Sequence, residues 1–261
     1  MYFWQVTAIN AAGSTPGPSW SFTTDSPVIP RAVRGDFDGD GKVDLTVFDP
    51  SNGTWSIRNS GSPARTIVWG GGSDIPVPGD YDGDRISDVA VFRPSNGTWY
   101  IRYSGTPTSA AVVWGGEGDV PVPADYDGDA LADIAVFRPS TGTWYIRYTA
   151  TPSSAAVTWG GGSDIAVRGD FDGDGKSDIA VFRPSTGTWY IRYTATPTSA
   201  ALTWGGGDDV PVPGDFDGDG KTDIAVFRPS TSTWHIRYSG TPTSAAIIWG
   251  GVTDIPIPNR P

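Results

Sequence analysis

The chain has no cysteine, a single histidine and a single glutamate. Without cysteine there is neither a disulfide nor a thiol nucleophile, although secretion stays open. The lone histidine, His235, stands where corresponding segments carry Tyr100, Tyr145 and Tyr190, so a catalytic base there would serve one segment only. The lone glutamate is Glu117, and most aspartates are committed to one kind of loop, which leaves little for an acid pair of the glycosidase kind. No Ser-His-Asp pattern and no glycine-rich phosphate loop occurs, so the chain reads as a non-enzyme. No apolar run approaches the roughly 20 residues of a membrane helix. The opening "MYFWQVTAIN" has no basic region followed by an apolar stretch and so no signal-peptide pattern. Positive charge is scarce: 18 Lys and Arg face 29 acids, for a net charge of −11. Such a surface repels phosphates and anionic membranes, so neither nucleic acid nor membrane insertion is expected.

What the 261 residues do have is glycine (35), proline (23) and tryptophan (12). The first two punctuate many short elements, and the aromatics supply a core that disordered chains lack. The string "GDFDGDGKVD" (Gly35–Asp44) recurs with its first aspartate at Asp36, Asp80, Asp125, Asp170 and Asp215, at spacings of 44, 45, 45 and 45. The likeness runs through whole units, which we divide as 35–78, 79–123, 124–168, 169–213 and 214–258. One unit reads as strands throughout. "ISDVAVFRP" (Ile86–Pro94) is apolar and β-branched, "SNGT" (Ser95–Thr98) is a hairpin turn, and "WYIRY" (Trp99–Tyr103) and "AAVVW" (Ala110–Trp114) are two further strands. "VPVPAD" (Val120–Asp125) is a short fourth, its prolines suited to an edge or a strand start. No helical periodicity lasts ten residues. Four short antiparallel strands per 45 residues make one propeller blade, so the expected fold is all-β, a five-bladed β-propeller over residues 28–258 with a tail at 259–261.

Both alternating faces of "WYIRY" are bulky, as a sheet covered on both sides requires. Ten of the twelve tryptophans fall in register, at Trp55, Trp99, Trp144, Trp189 and Trp234 and at Trp69, Trp114, Trp159, Trp204 and Trp249. Two readings stand: packing between blades, or exposed rings on which sugars stack. Asp74, Asp119, Asp164, Asp209 and Asp254 recur before the short strand; they cap loops or pair with Arg93, Arg138, Arg183 and Arg228, a series that Asp49 breaks.

Counted from Asp36, the repeated loop has carboxylates at positions 1, 3, 5 and 9 and glycines at 4 and 6. This is the ligand spacing of the first nine positions of an EF-hand loop, but position 12 is Val47 and a strand follows. The candidate ligands are Asp36, Asp38, Asp40 and Asp44; Asp80, Asp82, Asp84 and Asp88; Asp125, Asp127, Asp129 and Asp133; Asp170, Asp172, Asp174 and Asp178; and Asp215, Asp217, Asp219 and Asp223. Position 7 adds a backbone carbonyl from Lys42, Ile86, Leu131, Lys176 or Lys221. Six to eight hard oxygens on a flexible loop suit Ca²⁺ better than Mg²⁺. Two carboxylates ~4 Å apart repel by about 4 kcal/mol at an effective dielectric of 20, so each loop resists closing without a cation. The five loops hold 20 of the 29 acids, and five Ca²⁺ would offset ten of the eleven net negative charges. The alternative is an Asp-rich turn held by Asx hydrogen bonds. Position 6 is Gly41, Gly175 and Gly220 in loops 1, 4 and 5 but Arg85 and Ala130 in loops 2 and 3, where a left-handed non-glycine costs about 1–2 kcal/mol. The sites at Asp80 and Asp125 are therefore expected to be the weaker ones.

"DFDGDGKTDIAVF" (Asp215–Phe227) resembles the FG-GAP or VCBS-type repeat and is similar to the calcium-bearing blades of integrin α-subunit propellers. The resemblance implies an extracellular or cell-surface β-propeller with Ca²⁺ between the first two strands of each blade. Its members serve in adhesion or as accessory modules of large secreted bacterial proteins. Partners would then be a protein or glycan at a cell surface, or a second copy through an unpaired edge. A glycan-binding propeller with repeated inter-blade pockets, or the accessory domain of a secreted enzyme, are the alternatives. Residues 1–27 are different: "YFWQVTAINAAGSTPGPSWSFTT" (Tyr2–Thr24) resembles the last two strands of a fibronectin type III domain, as in a fragment of a larger protein. "RAVRG" (Arg31–Gly35) aligns with the short strand for the first blade, and "DIPIP" (Asp254–Pro258) reads as the first strand of a sixth unit.

Overall fold

A computed structural model of the chain describes residues 35–250 in full and two strands before them, Tyr2–Asn10 and Gly13–Phe22, at the level of the backbone. Those two strands, β1 and β2, pair antiparallel, with a register irregularity between Gln5 and Thr7. They belong to a separate compact unit, 1–31. The sequence readings placed on residues 23–34 and 251–261, "RAVRG" before Gly35 and "DIPIP" included, lie outside the described residues, as do the side chains of the first unit.

The second unit is a five-bladed β-propeller, all-β as the repeat spacing requires. Its sheets are β3–β5 (Leu45–Asp49, Thr54–Arg58, Arg65–Val68), β6–β9 (Ile75–Pro76, Val89–Arg93, Thr98–Arg102, Ser109–Val113), β10–β13 (Val120–Pro121, Ile134–Arg138, Thr143–Arg147, Ser154–Thr158), β14–β17 (Ile165–Gly169, Asp178–Arg183, Thr188–Arg192, Ser199–Thr203) and β18–β21 (Val210–Pro211, Ile224–Arg228, Thr233–Arg237, Ser244–Ile248). Each is an antiparallel meander in chain order. The short proline-bearing strand opens the sheet that follows it: Val120 and Pro121 pair with Phe137 and Val136. The unit boundaries drawn at 78, 123, 168 and 213 thus fall inside sheets, and "VPVPAD" is the first strand of the next blade rather than the fourth of its own. Prolines set its length, since each removes a ladder donor. Where Ala166 and Arg168 replace them, β14 extends to five paired residues instead of two.

The second strand of blades 2 to 5 is buried along its length. Val89, Ala90, Val91 and Phe92 are all buried, and so are their counterparts in β11, β15 and β19. Cross-strand Phe–Trp pairs recur in every blade with ring centroids 5.2–5.5 Å apart, a geometry worth about 0.5–1.5 kcal/mol beyond burial. The tryptophan ladder is packing apart from Trp249, whose ring is 61% exposed. Trp55, Trp99, Trp144 and Trp189 are at most 1% exposed. Each donates its indole N–H to the carbonyl of a second tryptophan in its own blade, as Trp99 does to Trp114 at 2.9 Å. That second indole donates across the blade boundary: Trp69 to Tyr100, Trp114 to Tyr145, Trp159 to Tyr190 and Trp204 to His235, at 2.9–3.0 Å.

Candidate metal centre

In blades 2 to 5 the aspartate-rich loop joins the first strand to the second, and loop 1 leads into β3; each loop is wound on its own carboxylates. Position 1 accepts twice: in loop 2 the Gly83 N–H lies 2.6 Å from Asp80 Oδ1 and the Arg85 N–H 2.8 Å from Oδ2. The other four loops repeat this pair. The turn demands positive φ at position 6, and Arg85 and Ala130 adopt it at 69° and 72°. Position 4 is glycine for two reasons. Its φ is +77° to +87°, and in loops 1 to 4 a Cβ would come within 3.0–3.2 Å of the position 7 side chain of the next blade: Ile86, Leu131, Lys176 and Lys221 in turn.

Position 9 is the buried anchor. Asp88, Asp133, Asp178 and Asp223 have no exposed surface and Asp44 has 4%. One carboxylate oxygen accepts the N–H of position 2, as Tyr81 gives Asp88 at 2.9 Å; the other accepts an N–H sixteen residues on, as Ser104 gives at 2.7 Å. Every loop repeats this staple. Sequence reading missed the second partner, Ser60, Ser104, Thr149, Thr194 or Ser239; the signal was a hydroxyl residue at constant spacing in all five units.

Carboxylate oxygens of positions 1, 3 and 9 converge within 4.8 Å of one another in loops 2 to 5: Asp80, Asp82 and Asp88; Asp125, Asp127 and Asp133; Asp170, Asp172 and Asp178; Asp215, Asp217 and Asp223. In loop 1 the converging set is Asp36, Asp38 and Asp40. Position 5 stands outside the cluster in the other four. Asp84 accepts the Ile86 N–H at 2.8 Å and the Ser104 hydroxyl at 2.6 Å. Asp129 and Asp174 each accept the N–H of position 7 at 2.8 Å, while Thr149 and Thr194 turn their hydroxyls to the carbonyls of Ala132 and Ser177. Burial is the main force on the anchors, and like charge from the loop adds to it. It pushes Asp88 and Asp133 up to about 7 and Asp178 to about 6, against the pull of their backbone donors. Asp80, Asp170, Asp82, Asp127 and Asp217 are also raised, burial again leading. Asp40 goes the other way, held low by the Ser60 hydroxyl and by Lys42. Three hard oxygen donors converging with their charge uncompensated are a donor set that a divalent cation fits.

The loops are joined in series. The N–H of position 8 reaches the position 1 carbonyl of the preceding blade: Ser87 to Asp36, Ala132 to Asp80, Ser177 to Asp125 and Thr222 to Asp170, at 2.6–2.7 Å. The aspartate before each short strand does something else. Asp74, Asp119, Asp164 and Asp209 receive two guanidinium hydrogen bonds each, at 2.8 Å, from Arg93, Arg138, Arg183 and Arg228. In blades 2 to 4 the same guanidinium lies 4.6–4.7 Å over Tyr100, Tyr145 or Tyr190. These arginines are paired within their own blades.

Comparison with known proteins agrees with this geometry. The FG-GAP-like repeat matches residues 80–136 and 170–226, and the FG-GAP repeat matches residues 210–246. A search of curated protein sequences returned no match. Among solved structures, a streptogramin B lyase is similar at 7% identity and a TM-score of 0.56, over 94% of this chain and 76% of that one. An Agrocybe aegerita lectin that recognises non-reducing terminal N-acetylglucosamine is similar at 19% identity and a TM-score of 0.55, over 84% of this chain and 66% of that one. The virginiamycin B lyase of Staphylococcus aureus follows at 8% identity and a TM-score of 0.53, over 93% and 76%. These likenesses concern the fold. No matched family model reaches residues 1–27, so the fibronectin type III resemblance of that segment gains no support. With its period, its blades and its matched repeats in agreement, the chain belongs to the FG-GAP repeat proteins.

Proposed function

We propose that this protein is a calcium-binding scaffold of the cell exterior, without enzymatic activity, whose blades present a surface for adhesion or interaction. The observation that carries the reading is the convergence of three carboxylates in each of five loops. Clusters so charged close fully only around a cation, and the three-oxygen set with loop carbonyls and water completes a calcium shell. In loops 2 to 5 positions 1, 3 and 9 hold the ion; in loop 1 positions 1, 3 and 5 do. Bound Ca²⁺ supplies charge neutralisation and stiffening, and the stapled position 9 transmits it to the second strand of the blade.

The non-enzymatic reading rests on the residues: Arg93, Arg138, Arg183 and Arg228 are paired with aspartates, and the single histidine stands in one blade of five, where the others carry Tyr100, Tyr145 and Tyr190 or Ser56. A glycan-binding reading has the lectin-like fold behind it, but the rings it would need are largely used up in blade packing. Calorimetric titration of Ca²⁺ into chelator-treated protein tests the main reading. About five sites, three tight and two weak, are expected; no heat and no gain in thermal stability would reduce the loops to Asx-held turns.

A further inference from the structure

The last strand of each blade has a partner on one side only. In blades 2 to 5 these strands are β9, β13, β17 and β21. In β9 the Trp114 N–H is spent on the Gly97 carbonyl at 2.8 Å, and the Thr108 carbonyl accepts the Tyr103 N–H at 3.2 Å. Both bonds turn inward, toward the third strand. Inward and outward groups alternate along an antiparallel ladder, so Ala110 and Val112 turn inward too. The N–H and carbonyl groups of Ser109, Ala111 and Val113 are left facing out of the sheet. Equivalent bonds fix the same direction in β13, β17 and β21, and among the described residues no strand pairs with these edges. Natural edges are commonly blunted by proline, lysine or a bulge. These four read SAAVV, SAAVT, SAALT and SAAII, with no proline, no charge and no register shift.

The side chains beside the edge say what fits it. Ser109, Ala111 and Val113 are exposed, and opposite them on β8 stand Arg102, Tyr100 and Thr98. Arg93 is spent on Asp74, but Arg102 is exposed and has no ion pair or hydrogen bond among the described residues. Arg147, Arg192 and Arg237 repeat it in the next three blades. Each edge of this acidic chain is thus flanked by an unmatched cation. A strand added to β9 sets its edge-facing residues beside Ser109, Ala111 and Val113, with side chains on the same face. The residue beside Ser109 has only that short side chain between it and Arg102, so a carboxylate suits it. The other two meet the methyl of Ala111 and the 69% exposed Val113, so apolar side chains suit them. A second copy brings no such carboxylate, because none of its outermost strands holds an aspartate or glutamate. A glycan has no backbone ladder to offer the edge.

We propose that the outer edges of blades 2 to 5 receive an extended acidic peptide segment of another protein, added antiparallel as a fifth strand. Read along the incoming strand, the pattern is apolar-x-apolar-x-acidic. Blades 2 and 5 set Val113 and Ile248 against the first apolar residue, while blades 3 and 4 set Thr158 and Thr203 there. The former pair therefore discriminates more strongly for an apolar residue. This names a partner for the interaction surface proposed above; it rests on that reading but not on the ion.

The probe is the heptapeptide T-V-T-V-T-E-T, capped at both ends and titrated into the 261-residue chain in Ca²⁺ at about 0.15 M salt, where charge acts over only about 8 Å. NMR follows the backbone amides. Those of Ser109, Ala111 and Val113, with their equivalents in β13, β17 and β21, should shift and saturate with a Kd below about 1 mM. Changing E to K in the peptide should weaken binding about three- to tenfold, although the net charge of −11 favours the opposite order. Methylating the amide nitrogen of the second V, which faces Ala111, should abolish it. Arg102→Gln should erase the preference for E at β9 alone, with β13 and β17 reporting an intact fold. No shift, or shifts that survive the methylation, would overturn the proposal. So would equal binding of the E and K peptides, or a uronate or sulfated oligosaccharide that moves the same amides as well as the peptide does. Shifts that grow with protein concentration in the absence of peptide would make the occupant a second copy and overturn it too. The Ca²⁺ titration decides the ion reading separately, so either can fail alone.

Discussion

The Ser87 backbone N–H lies 2.7 Å from the Asp36 carbonyl, so the second aspartate loop holds the first across a blade boundary. Asp36 is at the same time the residue on which its own loop is wound. Tightening one loop around an ion therefore repositions a hydrogen bond of the next.

Calcium binding should accordingly be coupled between neighbours. The double change Asp125→Asn and Asp127→Asn removes the third site, and the flanking loops should weaken by about two- to fivefold, an ordinary size for coupling between sites. Calorimetry counts and ranks the remaining four. Four sites with unchanged affinities would show that the loops act independently.

Arg85 and Ala130 hold left-handed backbone that glycine adopts at no steric cost. Arg85→Gly and Ala130→Gly should each stabilise the protein by roughly 0.5–1 kcal/mol, the strain relieved less the added flexibility of glycine when unfolded. They should also bring the two weak sites toward the other three. Urea unfolding with and without Ca²⁺ reads both effects; a loss of stability would place the strain elsewhere.

Asp88, Asp133 and Asp178 take up protons more readily folded than unfolded, because burial raises them toward 6 to 7. Their contribution to metal-free stability is full below about pH 4 and is lost as pH rises to about 7. With Ca²⁺ bound the dependence reverses, since the ion competes with those protons, and binding near pH 6 should release protons. Melting temperatures from pH 4 to 8, with chelator and with Ca²⁺, check the sign; parallel curves would contradict it.

Trp204 and Trp249 occupy the same place in adjacent blades and do different work. Trp204→Phe leaves the His235 carbonyl without its donor and should cost about 1–2 kcal/mol. Trp249→Phe, at an exposed ring, should stay within about 0.5 kcal/mol in this chain. Equal losses would mean that the last ring is already covered.

Arg138 closes over Asp119, whose side chain is 1% exposed while that of the arginine is 37% exposed. Arg138→Ala strands a buried carboxylate and should cost roughly 2–3 kcal/mol, below the full figure for a buried pair because water reaches the arginine side. Chemical denaturation at pH 7 measures it, and a neutral result would show that water replaces the guanidinium.

Much of this was written locally. The period of the aspartate string, the strand lengths, the turn glycines and the positive φ at Arg85 and Ala130 follow from residues within ten positions of one another, where backbone sterics and Asx hydrogen bonds decide. The arginine and aspartate nineteen residues apart were visible because the repeat shows both, and missing in step at Asp49. Tertiary structure alone decided that Val120 and Pro121 open the following sheet, that position 9 is stapled to Ser104 while position 5 swings away, and that the indole of Trp114 ends on Tyr145 thirty-one residues on. Those outcomes depend on which sheet lies against which. A sequence specifies such contacts only through packing, because apolar burial has no direction of its own and the hydrogen bonds that give it one form after the blades have met.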